Sequence, residues 1–177
     1  MAARGLTGIL LVGGASRRFG SPKALARFEG TTLAERAWQL LGETCDERFA
    51  FGKAADDLPL PFSVRDDGLD VRAPIAGLVA GLRSATNDVS VVVPVDCPLL
   101  TRDALLRLAA ACADAAVPET GPLPGAYAKA ALPVLERRLA AGELALRGAL
   151  DELHAAVVPI DRRVLANVNE PQALKAL

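Results

Sequence analysis

The sequence predicts an α/β protein in which a parallel sheet carries helices on both faces. Three observations lead there. An apolar run, Ile9-Leu10-Leu11-Val12, ends in paired glycines, and a valine-rich segment at 89–95 ends at Asp96. Strand-like and helix-like stretches follow in the order strand, helix, strand, strand, helix, strand, helix. Such alternation needs crossovers that lay helices over a parallel sheet. In sheets of this kind ligands bind outside the carboxyl ends of the strands.

Residues 6–12 are the first expected strand. The run does not alternate in polarity, so it reads as buried on both faces. It opens onto Gly13-Gly14-Ala15-Ser16-Arg17-Arg18-Phe19-Gly20-Ser21-Pro22-Lys23. Glycine lets the backbone approach a ligand with its N–H groups turned inward. Arg17, Arg18 and Lys23 bring charge suited to phosphate oxygens. We read this loop as a triphosphate cradle; the alternative is a plain strand-to-helix turn with a solvated basic rim. Neither a Walker loop nor a G-x-G-x-x-G fingerprint is present.

Arg27-Phe28-Glu29-Gly30 reads as a turn, and Thr32 with Glu35 forms a capping box. Leu33, Ala37, Leu40 and Leu41 then share one helical face, with Trp38 beside it as partly buried core. A second strand is expected at 46–51, a polar connection at 54–61, and a short third strand at 62–65 that ends at Asp66-Asp67-Gly68. Pro74 suits the first turn of the next helix, whose inward residues are Ala76, Val79, Ala80 and Leu82. Gly77 and Gly81 lie on one face of it. Close packing on the sheet is the favoured explanation, and room for a ligand is the other.

The segment 89–95 holds five valines in seven residues and is placed at the centre of the sheet. Thr101 caps a following helix with Leu105, Leu108, Ala109 and Cys112 on one face and Asp103 in its first turn. Cys97 and Cys112 read as small buried residues. Beyond 114–118 the texture changes. A turn-rich stretch at 119–124 precedes a short strand at 125–128, helices at 131–139 and 144–153, and a late strand at 155–160. Asn167-Val168-Asn169-Glu170-Pro171 is a polar turn before a last helix at 172–177. His154 is expected at a helix end, where a dipole contact accounts for it.

At 177 residues the chain is long enough for one domain with a real core. Apolar residues reach 51% while aromatics are only 4%, so that core must be aliphatic. A net charge of −1 argues against broad binding to nucleic acid or a membrane surface. Three widely spaced cysteines and one histidine give no zinc pattern and fit a reducing compartment. No charged-then-apolar leader precedes Gly8, and no apolar run reaches spanning length, so the expectation is a cytoplasmic protein.

Three charged features fall at expected strand ends: the glycine loop, Asp66 and Asp96. Asp96 follows a buried strand, and a carboxylate there needs a partner. A structural cation such as arginine would serve, and so would Mg²⁺, which takes few carboxylates and completes its shell with water and substrate phosphate oxygens. With a metal, the chemistry is phosphoryl or nucleotidyl transfer. No serine–histidine–carboxylate set or activated cysteine competes with this reading.

These residues also resemble a known family. Leu11-Val12-Gly13-Gly14 with Arg18, Gly20 and Lys23 is similar to the signature loop of the nucleoside-triphosphate transferases. Pro94-Val95-Asp96-Cys97-Pro98, Ala73-Pro74-Ile75-Ala76-Gly77-Leu78 and Asn167-Val168-Asn169-Glu170-Pro171 resemble three further segments, in order, of the molybdenum cofactor guanylyltransferases, commonly called MobA. The resemblance spans essentially the whole chain.

It implies a three-layer α/β/α, Rossmann-like nucleotidyltransferase fold with a mostly parallel, mixed sheet. It implies a single domain over 1–177, with the nucleotide side in about 1–100 and the acceptor side in about 101–177. The implied activity joins GMP from GTP to the terminal phosphate of molybdopterin or molybdenum cofactor, with Mg²⁺, releasing pyrophosphate. Leu11, Val12, Gly13 and Gly14 match nucleotide-contacting positions, Arg18 and Lys23 the triphosphate residues, and Asp66 an aspartate on the nucleotide. Asp96 matches the metal aspartate, and Asn167 and Asn169 the asparagines on the pterin side. Arg18, Lys23 and Asp96 are thus the implied catalytic set. Partners would extend to proteins that deliver product to a molybdoenzyme.

The chain departs from the pattern at Val12, Phe19 and Ala73, which replace alanine, methionine and glycine. Gly52 stands where the family has an asparagine that helps read guanine, which keeps a CTP-using enzyme as the alternative. Asp67 can replace Asp66 in the nucleotide role. A non-catalytic nucleotide- or pterin-binding module is the reading from a different class.

Overall fold

The computed structural model describes residues 5–13, 20–169 and 171–177. The arginine-bearing part of the glycine loop at 14–19, with Gly14 and Arg18, therefore lies outside the described residues, as does Glu170.

Strand β1 (Leu6–Leu11) is buried along its whole length. After a single turn of 3-10 helix at Lys23–Leu25, a hairpin forms from β2 (Arg27–Phe28) and β3 (Thr31–Thr32). The expected turn at Arg27–Gly30 is thus a two-residue hairpin loop. Glu29 and Gly30 both have positive φ, at 47° and 88°, which is the turn geometry whose twist suits paired strands. Helix α1 (Leu33–Thr44) starts on the capping box as expected: the Thr32 side chain accepts from Glu35 N, and Glu35 accepts from Thr32 N. Trp38 is half-buried, stacks on Phe62 at 4.4 Å and carries the Arg48 guanidinium 4.3 Å over its ring.

Next come β4 (Glu47–Gly52), β5 (Val64–Asp66) and α2 (Pro74–Ser84). The inward face of α2 is Ile75, Ala76, Gly77, Leu78, Val79, Gly81 and Leu82; Ala80, expected inward, is only half-buried. Both glycines of α2 pack closely against β1, and Gly77 also lines the cleft. An added Cβ would sit 2.7 Å from Leu11 Cδ2 at Gly77, and 2.5, 2.8 and 2.9 Å from three Ile9 side-chain carbons at Gly81. Alanine gains about 1 kcal/mol of helix propensity over glycine, but forcing a methyl into this contact costs about 1–3 kcal/mol. Gly81→Ala is expected to lower the melting temperature by about 2–6 °C; an unchanged or higher melting temperature would show that α2 can shift off the sheet at no cost.

Strand β6 (Val89–Pro94) and helix α3 (Arg102–Ala111) follow. The chain continues through β7 (Ala115–Pro118), β8 (Gly125–Ala128), α4 (Leu132–Ala140), a short α5 (Arg147–Leu150), β9 (Ala156–Val158) and α6 (Pro171–Lys175). The sheet order is β5-β4-β1-β6-β8-β7-β9, so the valine strand is central, as expected. Strands β5, β4, β1 and β6 are mutually parallel, whereas β8 runs antiparallel to both β6 and β7. Mostly parallel and mixed is the architecture found.

Burial on both faces explains the unbroken apolar runs. Leu10, Val91 and Val93 join α1 and α3 in one core layer with Leu33, Leu41, Leu105 and Leu108. Ile9, Leu11 and Val92 join α2 and α4 in the other with Leu78, Leu82, Tyr127 and Leu135. Alternate side chains of one strand thus feed opposite layers. Among the described residues no helix is long and apolar enough to cross a membrane.

The second half holds three departures from expectation. The stretch 114–118, given no element from sequence, contains buried strand β7. The helix expected over 144–153 is reduced to Arg147–Leu150. Here Arg138 Nη1 reaches Glu143 at 2.9 Å and Glu152 at 2.7 Å, while its guanidinium fills the space above Gly148. Helical backbone nonetheless extends on both sides: Leu146 and Asp151 lie in the right-handed helical region, and Leu153 N donates to Ala149 O at 3.0 Å. The late strand spans only Ala156–Val158, and His154 lies beside it in an exposed turn with φ 46°.

Candidate active site

The carboxyl ends of β1, β4, β5 and β6 lie along one edge of the sheet, and a cleft runs along them. It has two chambers that share Leu11, Gly13 and Pro74. One, of about 320 Å³, is lined by Leu11, Val12, Gly13, Lys23, Asp96 and Asn167, among others. The other, of about 240 Å³, adds Phe51, Gly52, Lys53, Asp67, Arg72 and Gly77.

Each functional side chain of the larger chamber is held by local structure. Lys23 opens the 3-10 turn, whose next residue, Ala24, is buried in the core at 1% exposure. Leu33 N donates to Ala26 O at 2.9 Å, which ties that turn to the start of α1. Lys23 Nζ thereby stands 3.5 Å from Asp96 Oδ2 and 3.3 Å from Asn169 Oδ1. Asp96 follows β6 in a loop fixed on both sides: Arg36 Nε of α1 donates to Pro98 O at 2.6 Å, and Leu100 N donates to Cys97 O at 3.2 Å. Val168 N donates to Asp96 O at 2.8 Å, which brings the asparagine segment against the same loop.

Cys97 Sγ lies 3.7 Å from Asp96 Oδ1. Burial first, and the Asp96 charge second, push its thiol up to about 12. It therefore stays protonated near neutrality and is no nucleophile. Burial likewise pushes Cys45 up to about 12 and Cys112 up to about 11.

Six of the expected site residues thus meet in one chamber: Leu11, Val12, Gly13, Lys23, Asp96 and Asn167. Asn169 joins them through Lys23. Asp66 does not line either chamber. Its exposed carboxylate accepts from Ala54 N and Gly68 N, both at 2.7 Å, and these bonds hold it below the usual carboxylate range. Asp67, the alternative, lines the smaller chamber instead. The reason is register: Asp66 is the last residue of β5 and its side chain closes the loop back onto Ala54.

Sequence reasoning did not single out Lys53 and Arg72. Lys53 Nζ donates to Asp67 Oδ1 and to Leu69 O, each at 2.5 Å. Arg72 forms a two-pronged pair with Asp56 at 3.0 and 2.7 Å. The signal available for Lys53 was its place immediately after β4, at the ligand edge of the sheet. Gly52 and Val12 are complementary in space: a Cβ added at Gly52 would lie 2.8 Å from Val12 Cγ2 and 3.2 Å from Val64 Cγ1. Val12 and Gly52 thus pack as one contact, in which a stiff valine occupies room that a side chain at 52 would need.

Among the described residues no group of three or more histidines, cysteines, aspartates or glutamates could hold a metal. Asp96 is the one acid among the described residues lining the larger chamber. A single carboxylate beside an ammonium fits a hard cation that arrives with substrate phosphates and keeps several waters.

Comparison with known proteins agrees with this geometry. Residues 8–158 match the family model described as a MobA-like NTP transferase domain. A probable molybdenum cofactor guanylyltransferase of Deinococcus radiodurans is 36% identical, over 97% of this chain and 93% of that protein. A molybdenum cofactor guanylyltransferase of Pseudomonas putida is 35% identical over 94% of each chain. The crystal structure of molybdopterin-guanine dinucleotide biosynthesis protein A from Archaeoglobus fulgidus superposes with a TM-score of 0.81 at 25% identity, covering 96% of this chain and 95% of that one. A glycine-ended strand, a lysine and an aspartate facing one cleft, and likeness along nearly the full length all lead to one assignment: the chain belongs to the MobA-like NTP transferases.

Proposed function

We propose that this protein transfers GMP from GTP to the terminal phosphate of molybdopterin or molybdenum cofactor, forming a guanine dinucleotide. The observation that carries the reading is the approach of Lys23 to Asp96 across a chamber continuous with a second one, which gives a nucleotide two adjoining compartments. Relatives named for this reaction support the choice of GTP and of the pterin acceptor.

In this reading Gly13 and its neighbours let the triphosphate lie against backbone, and Lys23 binds its outer oxygens. Arg18 is assigned to the same triphosphate. Asp96 would hold Mg²⁺, which when bound draws charge from the reacting phosphate. Asn167 and Asn169 orient the acceptor from the second half of the chain. An oxygen of the acceptor phosphate attacks the α-phosphorus, the bond from that phosphorus to the bridging oxygen breaks, and pyrophosphate leaves with the electron pair. The acceptor is itself the nucleophile, so the protein supplies position and charge rather than a covalent group.

The test is pyrophosphate release from GTP, CTP and ATP with Mg²⁺, each with and without molybdopterin. The expected result is release that requires acceptor and is fastest with GTP. Fastest release with CTP would move the protein to the cytidylyltransferases, and binding without release would make it a carrier module.

A further inference from the structure

We infer that Arg36 of α1 is a positioning residue: its Nε bond to Pro98 O sets where Asp96 stands relative to Lys23 and so readies the Asp96 carboxylate for a divalent cation. This deepens the function proposed above and rests on it.

Asp96 lies two residues beyond the last ladder pair of β6, Leu11 with Pro94. The sheet does not hold it there, and three successive carbonyls do. Asp96 O accepts from Val168 N at 2.8 Å, Cys97 O from Leu100 N at 3.2 Å, and Pro98 O from Arg36 Nε at 2.6 Å. The first bond reaches into the second half of the chain, and the second is internal to the loop. Only the third crosses to the part of the chain that carries Lys23, and of the three it alone is made by a side chain. Pro98 is buried and has no N–H to offer. Leaving its carbonyl unpaired would cost more than the bond itself contributes.

Lys23 is tied to the same place on α1. Leu33 N donates to Ala26 O at 2.9 Å, which fixes the turn that presents the ammonium. Leu33 and Arg36 are three residues apart and adjacent on the helix surface. The capping box of Thr32 and Glu35 sets the turn between them. One turn of helix therefore carries an anchor for each of the two side chains that meet at 3.5 Å. The far end of the guanidinium is itself steered: Nη1 lies 2.9 Å from Glu29, and the group sits 5.1 Å over the Phe28 ring. That ion pair is too exposed, at 36% and 63%, to account for the residue through stability. Arg36 lines neither chamber, so it acts through Asp96. Magnesium demands near-octahedral geometry at about 2.0–2.1 Å, which a loosely held carboxylate does not supply.

Glutamine and methionine at position 36 separate placement from charge. Both are neutral and similar in length. Glutamine has an N–H donor where arginine has Nε, and methionine has a methyl group there. The test is calorimetry of GTP binding, without acceptor, to the wild-type chain, Arg36→Gln and Arg36→Met, each with Mg²⁺ and with EDTA. In EDTA the three should bind GTP alike, because Leu33 rather than Arg36 holds the Lys23 turn. With Mg²⁺, Arg36→Met should lose about 10–100-fold in affinity, the usual cost of removing a partner that orients a metal ligand, and Arg36→Gln much less. Melting curves accompany each sample. Should Arg36→Met fail to fold, Arg36→Lys takes its place: it keeps the charge but has a methylene at the ε position, and the same loss is expected of it. Equal losses in the glutamine and methionine variants, no loss in either, or a loss as large in EDTA as with Mg²⁺ would overturn the inference and leave the transferase reading intact. A wild-type chain that binds GTP under neither condition would remove both.

Discussion

Asp96→Asn is expected to remove acceptor-dependent pyrophosphate release while leaving the fold and its melting temperature unchanged. The substitution keeps the shape of the side chain and the backbone bond from Val168 N to Asp96 O at 2.8 Å. What it removes is a unit of charge at the point where Lys23 Nζ comes within 3.5 Å. Stability has little at stake, because that contact is long and both side chains keep some exposure, 17% and 20%. Ion pairs of this sort contribute about 0–1 kcal/mol. Catalysis has much more at stake in the proposed reaction, where Asp96 would hold the metal that neutralises the reacting phosphate, and losing such a preorganised contribution costs on the order of 10²–10³ in turnover. Single-turnover rates, with circular dichroism and a melting curve on the same sample, give the answer. Turnover at the wild-type rate would show that Asp96 holds no metal and serves only as the counter-ion of Lys23.

Lys23→Ala is expected to weaken GTP far more than GMP. The ammonium is fixed by the buried Ala24 turn and stands between Asp96 and Asn169, within 3.5 and 3.3 Å. A hydrogen bond to a charged group contributes about 1.5–3 kcal/mol, so the loss for the triphosphate is about 10–100-fold. GMP, which has no outer phosphates, should move by less than about twofold. Titration calorimetry with the two nucleotides separates the cases. Equal losses for both would place Lys23 on the α-phosphate or on the acceptor side instead.

The sheet and most of its helices were legible in the sequence because they depend on local rules. Burial on both faces leaves unbroken apolar runs at 9–12 and 89–95, and the Thr32–Glu35 capping box is a four-residue signal. The site was legible as far as those strands carried it: Leu11, Val12, Gly13 and Asp96 sit on or just past strand ends, and Lys23 follows within one loop. Strand β7 was not, since Ala115–Pro118 is too short and too small-chained to show a period. The Leu144–Leu153 stretch looked helical because its apolar spacing is right, and helical turns do run from Leu146 to Leu153, but only Arg147–Leu150 forms a regular helix. Lys53 and Asp67 were hidden for a different reason. They are 14 residues apart, and only the pairing of β4 with β5 brings them together.

The contact between positions 12 and 52 also constrains how this chain can change. A side chain added at 52 meets Val12 Cγ2 at 2.8 Å and Val64 Cγ1 at 3.2 Å, and a shorter residue at 12 relieves the tighter of the two. Changes at 52 are therefore coupled to the residue at 12, and a library aimed at one position gains from varying the other with it.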